Sequence, residues 1–266
     1  MRLIDKLPPA PNFDDKIIYM ISNFLFLEDK PFNYGEQCKT FLLGTQKYRE
    51  YNPKYALQIM GNIAFLKDMF RKEKWLNIEN FPFLPEMIIT GGINPEYKND
   101  TEETKFVKKL YTEGGKYDWR DVLTIPQSII IYMRYPWHFN YSPRLEMRSV
   151  NTKENFMAVK EKGWYENVEH LRLITTAESS LRVLATAKKH LPNLQDVATL
   201  SYTPTFPELG IKCDKENWAK HPLSQRYVYG ELLRVIKYDE MGEIKLSDQA
   251  KVKLHDIVVE LQSKQY

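Results

Sequence analysis

The chain has 266 residues, 43% of them hydrophobic and 27% charged, a balance that suits a folded globular protein and excludes disorder throughout. Thirty-eight basic residues against 35 acidic leave a net charge of +3, which permits contact with RNA without demanding it, because free-standing nucleic-acid binders carry a stronger excess. Cys38 and Cys213 match no zinc or CxxC spacing, so both read as reduced thiols outside any disulfide framework. The longest apolar run, residues 17–27, is broken by Ser22 and Asn23 and falls short of the roughly 20 residues a bilayer crossing needs, so no membrane span is expected. The start, "MRLIDKLPPAPNFDD", matches neither a secretory signal nor a transit peptide, because acids come early and prolines break any amphipathic helix.

After this proline-rich lead, Asn12 is the expected cap of a helix with acids in its first turn and apolar residues at 17, 20, 21, 24, 25 and 27. Two more helices are expected over 34–51 and 53–75, the second opened by Pro53, where a missing amide costs nothing. Residues 76–100 contain Pro82, Pro85, Pro95 and the doublet Gly91-Gly92 and read as an extended, irregular segment. A short helix is expected over 101–113, ended by Gly114-Gly115. Residues 122–150 are rich in β-branched and aromatic side chains but interrupted by Pro126, Pro136 and Pro143, so strands there must be short or lie on an edge.

From residue 168 the pattern sharpens. "VEHLRLIT" alternates like a strand, and Thr175 with Glu178 suggests a capping box for "AESSLRVLATAKKHL". That helix closes on Lys188, Lys189 and His190 and then Pro192, as helix ends prefer. "DVATLSYT" reads as a second strand, 226–240 as a helix, and "SDQAKVKLHDIVVELQS" as a last helix capped by Ser247. The expected fold class is therefore α+β and helix-rich, with N-terminal helices followed by a small C-terminal β-α-β-α core and a terminal helix. The expected domains are a helical region over 1–121, with the extended segment 76–100, and an α/β domain over 122–266.

Chemistry-bearing patterns are sparse. None of His138, His170, His190, His221 and His255 stands in an HExxH arrangement or near a cysteine, so no metal ligand set is expected. GxxxxGK[ST], GxGxxG and GxSxG are absent, and neither glycine doublet leads visibly from a strand into a helix with a lysine behind it. Acidic pairs such as Asp14-Asp15 and Asp239-Glu240 lie at predicted helix ends, so no catalytic residue and no cofactor is assigned. Aromatic and basic residues interleave over 132–148, which makes Arg134, Arg144 and Arg148 candidate RNA-binding residues; packed aromatics with solvated arginines are the alternative.

In "RYVYGELLRVIKYDE", residues 226–240, Val228, Tyr229, Leu232, Leu233, Val235 and Ile236 fall on one broad helical arc and Arg226, Gly230, Arg234 and Lys237 on another. Gly230 costs about 1 kcal/mol relative to alanine in a helix interior, and its place on the basic arc suggests close approach of a ligand to the backbone. The succession of strand, helix ending in Ala187-Lys188-Lys189-His190-Leu191, strand, and helix with Gln225, Arg226, Tyr227, Leu232, Leu233 and Glu240 resembles the C-terminal core of the mitochondrion-specific small-subunit ribosomal protein family numbered thirty-five. The likeness covers residues 168–240. It departs where the family's Gly-x-Arg-Tyr is "PNLQD", where its Asn is Arg226, and at 206–220, which reads as an insertion.

The resemblance implies a non-catalytic structural component of the mitochondrial small ribosomal subunit, in the mitochondrial matrix. It would contact ribosomal RNA and other small-subunit ribosomal proteins and take no small-molecule substrate. Lys188, Lys189, Arg226, Gly230, Arg234 and Lys237 would be the RNA-facing residues, with Arg134, Arg144 and Arg148. The alternatives are an accessory subunit of a respiratory or viral protein assembly without RNA contact, and a motif-poor nucleic-acid-processing enzyme.

Overall fold

Asp14 opens the first helix, α1 (Asp15–Leu25), by accepting a hydrogen bond from the Ile17 amide at 2.9 Å. Asn12, the cap expected from the sequence, lies two residues too early, and an ionised acceptor at 14 also meets the positive end of the helix. The computed structural model describes residues 9–29, 40–44, 86–90, 144–145, 149, 151–166, 168, 170–194, 196–203, 205–206 and 211–264. They mix helices with strands, including a small parallel sheet. The chain divides into one unit formed by Met1–Pro31 and Thr175–Tyr266 and another formed by Phe32–Ile174. The domain boundary expected between 121 and 122, the helices expected over 53–75 and 101–113, and residues 132–143 of the interleaved segment lie outside the described residues.

In the unit of Phe32–Ile174, β1 (Thr40–Gly44), β2 (Glu86–Thr90) and β3 (Arg144–Leu145) join β4 (His170–Thr176) in the order β3-β2-β1-β4, all pairs parallel. The register sets Leu42 opposite Ile88 and Phe41 opposite Arg172. β1 corrects the helix expected over 34–51: the apolar run Phe41-Leu42-Leu43 has strand length, and pairing on both edges overrides local propensity. β2 likewise replaces irregular chain with a strand at 86–90. β4 agrees with its expectation, but Arg172, polar in the alternation, is fully buried, because parallel strands are covered on both faces. No element was expected at α2 (Thr152–Glu161), whose Asn151 cap accepts from the Glu154 amide at 2.9 Å while its side-chain amide donates to the Glu154 carboxylate at 2.6 Å. Phe156 and Val159, one turn apart, bury its inner face.

In the other unit, α1 buries Ile17, Ile21, Phe24 and Leu25 and turns Tyr19 outward. A 3-10 turn at Ala177–Ser179 precedes α3 (Ser180–His190), and the capping box expected at Thr175 is displaced. Thr176 instead donates its hydroxyl to the Glu178 carboxylate at 2.7 Å, and the α-helix begins at Ser180. The Ser180 hydroxyl donates to the Leu25 carbonyl at 3.0 Å and accepts from the Leu27 amide at 3.1 Å, so it satisfies the frayed end of α1. α3 ends on Lys188, Lys189 and His190 as expected and packs on β5 (Asp196–Tyr202). A short antiparallel pair, β6 (Thr205–Phe206) and β7 (Ile211–Lys212), follows.

The 3-10 turn Trp218–Lys220 leads into α4 (Pro222–Glu240). Trp218 is fully buried, and its indole N–H donates to the Ser22 hydroxyl of α1 at 2.8 Å. Phe13 meets Trp218 and Tyr229 edge-on, with ring centroids 5.7 and 5.8 Å away. α4 closes with Gly242 at φ +64°, whose amide donates to Asp239 while the Glu243 amide reaches back to Tyr238. α5 (Asp248–Ser263), capped by Ser247 as expected, packs on α1 and is joined to it by the ion pairs Lys16–Glu260 and Lys264–Asp14. No helix among the described residues is long and apolar enough to cross a membrane.

The segment after α1 is pinned to β5 through Asp29, whose carboxylate accepts from the Ser201 amide at 2.7 Å and the Ser201 hydroxyl at 2.8 Å. Although the residue as a whole is exposed, protein crowded around the carboxyl raises its pKa above the ordinary 3.8, and the two Ser201 bonds only partly offset this. A raised folded-state pKa means that this group's stabilisation is fully present below the unfolded pKa and is lost as pH rises through the folded one. Ser201→Ala removes one bond to the ionised form, so it is expected to move the Asp29 midpoint further up, as read from the carboxyl carbon shift in an NMR titration.

Candidate functional site

The helix over 226–240 was expected to separate a buried apolar arc from an outward basic one. Val228, Leu232 and Val235 of the expected apolar arc are buried on α4, Tyr229, Leu233 and Ile236 are half-buried, Tyr227 is buried although it was not placed on that arc, and Lys237 is exposed. Gly230, however, is buried, and Arg226 and Arg234 are only half-exposed, so these three do not form an open ligand-facing stripe. The reason lies at Glu231, a fully buried carboxylate one residue beyond the glycine.

Glu231 accepts from the Arg182 Nε of α3 at 2.5 Å through one oxygen and from Arg234 at 3.0 Å through the other. Arg182 also lies over the Tyr238 ring, 5.7 Å from its centroid. Its backbone carbonyl accepts from the Thr186 hydroxyl at 2.7 Å. Positive charge on this part of α4 therefore turns inward to neutralise a carboxylate that burial would otherwise penalise heavily. The sequence carried one signal of this arrangement, the i, i+3 spacing of Glu231 and Arg234; Arg182 lies 49 positions away and had none.

The remaining RNA-facing candidates divide by location. Lys188 and Lys189 are exposed in the last turn of α3, where cations also suit the negative end of a helix. Arg144 belongs to β3, with its side chain outside the described residues, and Arg134 and Arg148 lie outside them altogether.

A second arrangement lies at the carboxyl ends of the parallel strands in the unit of Phe32–Ile174. Chain order runs outward from β1 through β2 to β3, then returns to the other side of β1 as β4. The sheet therefore has a reversal point between β1 and β4, and open parallel sheets take ligands beyond the carboxyl ends of the strands at such a point. β1 ends there on Gly44 and β2 on the fully buried Thr90, with Gly91-Gly92 next in sequence. The glycine doublet thus follows a strand directly, half of the context that the sequence alone had not revealed.

Beyond β3 the chain places Ser149, buried, with its hydroxyl on the side-chain oxygen of the equally buried Asn155 of α2. Gly44 and Thr90 close adjacent parallel strands at the same end of the sheet, and Thr90 and Ser149 are buried there with their polar groups inside the protein. Arg172 is buried within β4 of the same sheet, and one of its terminal nitrogens donates to the Leu171 carbonyl at 3.3 Å. Among the described residues no group of three or more His, Cys, Asp or Glu side chains is placed to hold a metal ion.

Glu231→Gln keeps the shape of the buried side chain but leaves two guanidinium groups without their counter-charge, and is expected to destabilise the chain by about 3–5 kcal/mol. Urea unfolding checks this against Lys237→Gln, an exposed change expected to stay within about 0.5 kcal/mol. In comparison with known proteins, no family model matches the chain and no curated protein matches it.

Proposed function

We propose that the chain is a ligand-binding α/β protein whose parallel sheet takes a small phosphate-bearing molecule beyond its carboxyl edge. The observation that carries this reading is the strand order β3-β2-β1-β4 with its reversal between β1 and β4, ending on Gly44 and on Thr90 ahead of Gly91-Gly92. Glycine lets a backbone approach phosphate oxygens closely and the adjoining amides act as donors, with Thr90 the side chain nearest to them in sequence. The reading departs from the expectation that no small molecule is bound. Inorganic phosphate and a panel of nucleoside phosphates, titrated into the full chain, are expected to shift the amide signals of Gly44, Thr90 and Ser149. A ligand present at about a hundredfold excess over its Kd would add about 2.7 kcal/mol of stability. Thr90→Val, which replaces the hydroxyl by a methyl, is expected to weaken binding about tenfold; unmoved signals with every compound would overturn the reading.

A second reading is favoured by the exposure of Lys188, Lys189 and Lys237. In it the chain is a non-catalytic component of the mitochondrial small ribosomal subunit, as the resemblance implies, touching ribosomal RNA phosphates and neighbouring proteins in the matrix. The β-α-β-α core of that family would correspond to β4, α3, β5 and α4, with α5 as the terminal helix. Reversing the three lysines to glutamate is then expected to release tagged protein from small ribosomal subunits on a gradient at low salt. Migration of the unaltered protein as a small free species would remove this reading and leave the first intact.

A further inference from the structure

Most described helices of this chain are capped by side chains whose acceptors survive mild acid: Asp14 for α1, Asn151 for α2 and Ser247 for α5. α4 is different. Its cap is His221, in extended backbone at φ −140° and ψ 133°, whose ring Nδ1 accepts from the Leu223 amide at 3.1 Å. Pro222 has no amide, and the Gln225 amide already bonds to the His221 carbonyl at 3.0 Å. The imidazole therefore serves a first-turn amide that has no intrahelical acceptor. An imidazole nitrogen accepts only while it carries no proton, so this bond requires the neutral ring with its hydrogen on Nε2.

We propose that His221 makes the first turn of α4 a proton-sensitive latch, independent of the ligand-binding reading. Protonation turns Nδ1 from acceptor to donor, strands the Leu223 amide, and sets a positive charge against the positive end of a helix that spans Pro222–Glu240. Of the acidic groups ahead of α4, Asp214 already accepts from the Asn217 amide at 2.9 Å and from the Asn217 side chain at 2.6 Å, and Glu216 lies exposed in the same turn. Lys220, on the turn that leads into α4, is itself cationic and donates to the Asn217 side-chain oxygen at 2.7 Å. Glu178, on the turn at Ala177–Ser179 that packs against α4, is buried and holds the Thr176 hydroxyl at 2.7 Å. Arg226, one turn along α4, adds a further positive charge.

The latch has a defined load. Gln225 donates from α4 to the Ala219 carbonyl at 2.7 Å, and the adjoining Trp218 donates to Ser22 of α1 at 2.8 Å. Loosening the first turn of α4 therefore loosens the connection from α4 through the 218–220 turn to α1.

Hydrogen exchange on the full chain tests this at about pH 7.5 and about pH 5.5, inside the range where imidazoles change charge, with protection factors corrected for intrinsic rates. Protection at Leu223 and Ser224 is expected to fall about fivefold on acidification, the effect of losing a helix cap. His221→Asn keeps an acceptor at both pH values and is expected to abolish the fall, and His221→Asp provides the same control with a different acceptor. His221→Ala is expected to give low protection at both. An equal fall in the asparagine and aspartate variants, or no fall in the unaltered chain, would overturn the proposal.

Discussion

A buried carboxylate held by two guanidinium groups is the constraint on which the helical unit turns. Glu231 sits on α4 without solvent and is shared by Arg182 of α3 and Arg234 of α4 itself. Such a cluster adds little net stability over an apolar replacement, but a misplaced partner leaves a bare charge inside the protein. It therefore sets the rotation of α4 about its axis: the apolar residues Val228, Leu232 and Val235 and the charged Glu231 are all buried in the same setting. The buried glycine follows from that rotation, since Gly230 is the neighbour of Glu231 and turns inward with it.

The parallel sheet imposes a different economy. Strands covered on both faces admit polar groups only where these are satisfied, and the described strands bury Thr90, Arg172, Thr175, Thr176 and Thr199. Three of these five, Thr90, Thr175 and Thr176, lie at the carboxyl ends of their strands. Polar groups are thus concentrated at one edge, while Ile88, Leu171 and Leu173 supply the apolar interior.

The legible parts of the sequence were those whose signal is local. Ser247 ahead of α5, the basic close of α3 at Lys188, Lys189 and His190, and the alternation that marks β4 each depend on neighbours within a few residues, and the structure agrees with them. β1 was misread as helix because Phe41-Leu42-Leu43 is ambiguous by periodicity, and only pairing with β2 and β4 decides it. On the basic arc of α4 a helical projection cannot tell a solvated arginine from one that, like Arg234, reaches a buried glutamate. Gly44 at the end of β1 and the glycine doublet after β2 stand out only once those strands are identified. His221 gave no sign as a cap, since histidine is not among the residues that usually open helices.

The two bonds of Ser180 carry a consequence for how the protein is made. Its hydroxyl ties the end of α1 at Leu25 and Leu27 to a serine 155 and 153 positions later. Trp218 and Ser22 are separated by 196 positions, and Lys16 and Glu260 by 244. At roughly 5–20 residues per second of synthesis, the 155 positions from Leu25 to Ser180 take about eight to thirty seconds, so α1 waits that long for the earliest of these three partners. Throughout that interval the apolar face formed by Ile17, Ile21, Phe24 and Leu25 has none of its native cover from α3 onward. Closing so long a loop is also slow once the partners are present. The helix nearest the N-terminus is thus among the last to be secured, and nascent chains of this protein are natural clients for factors that shield apolar helices.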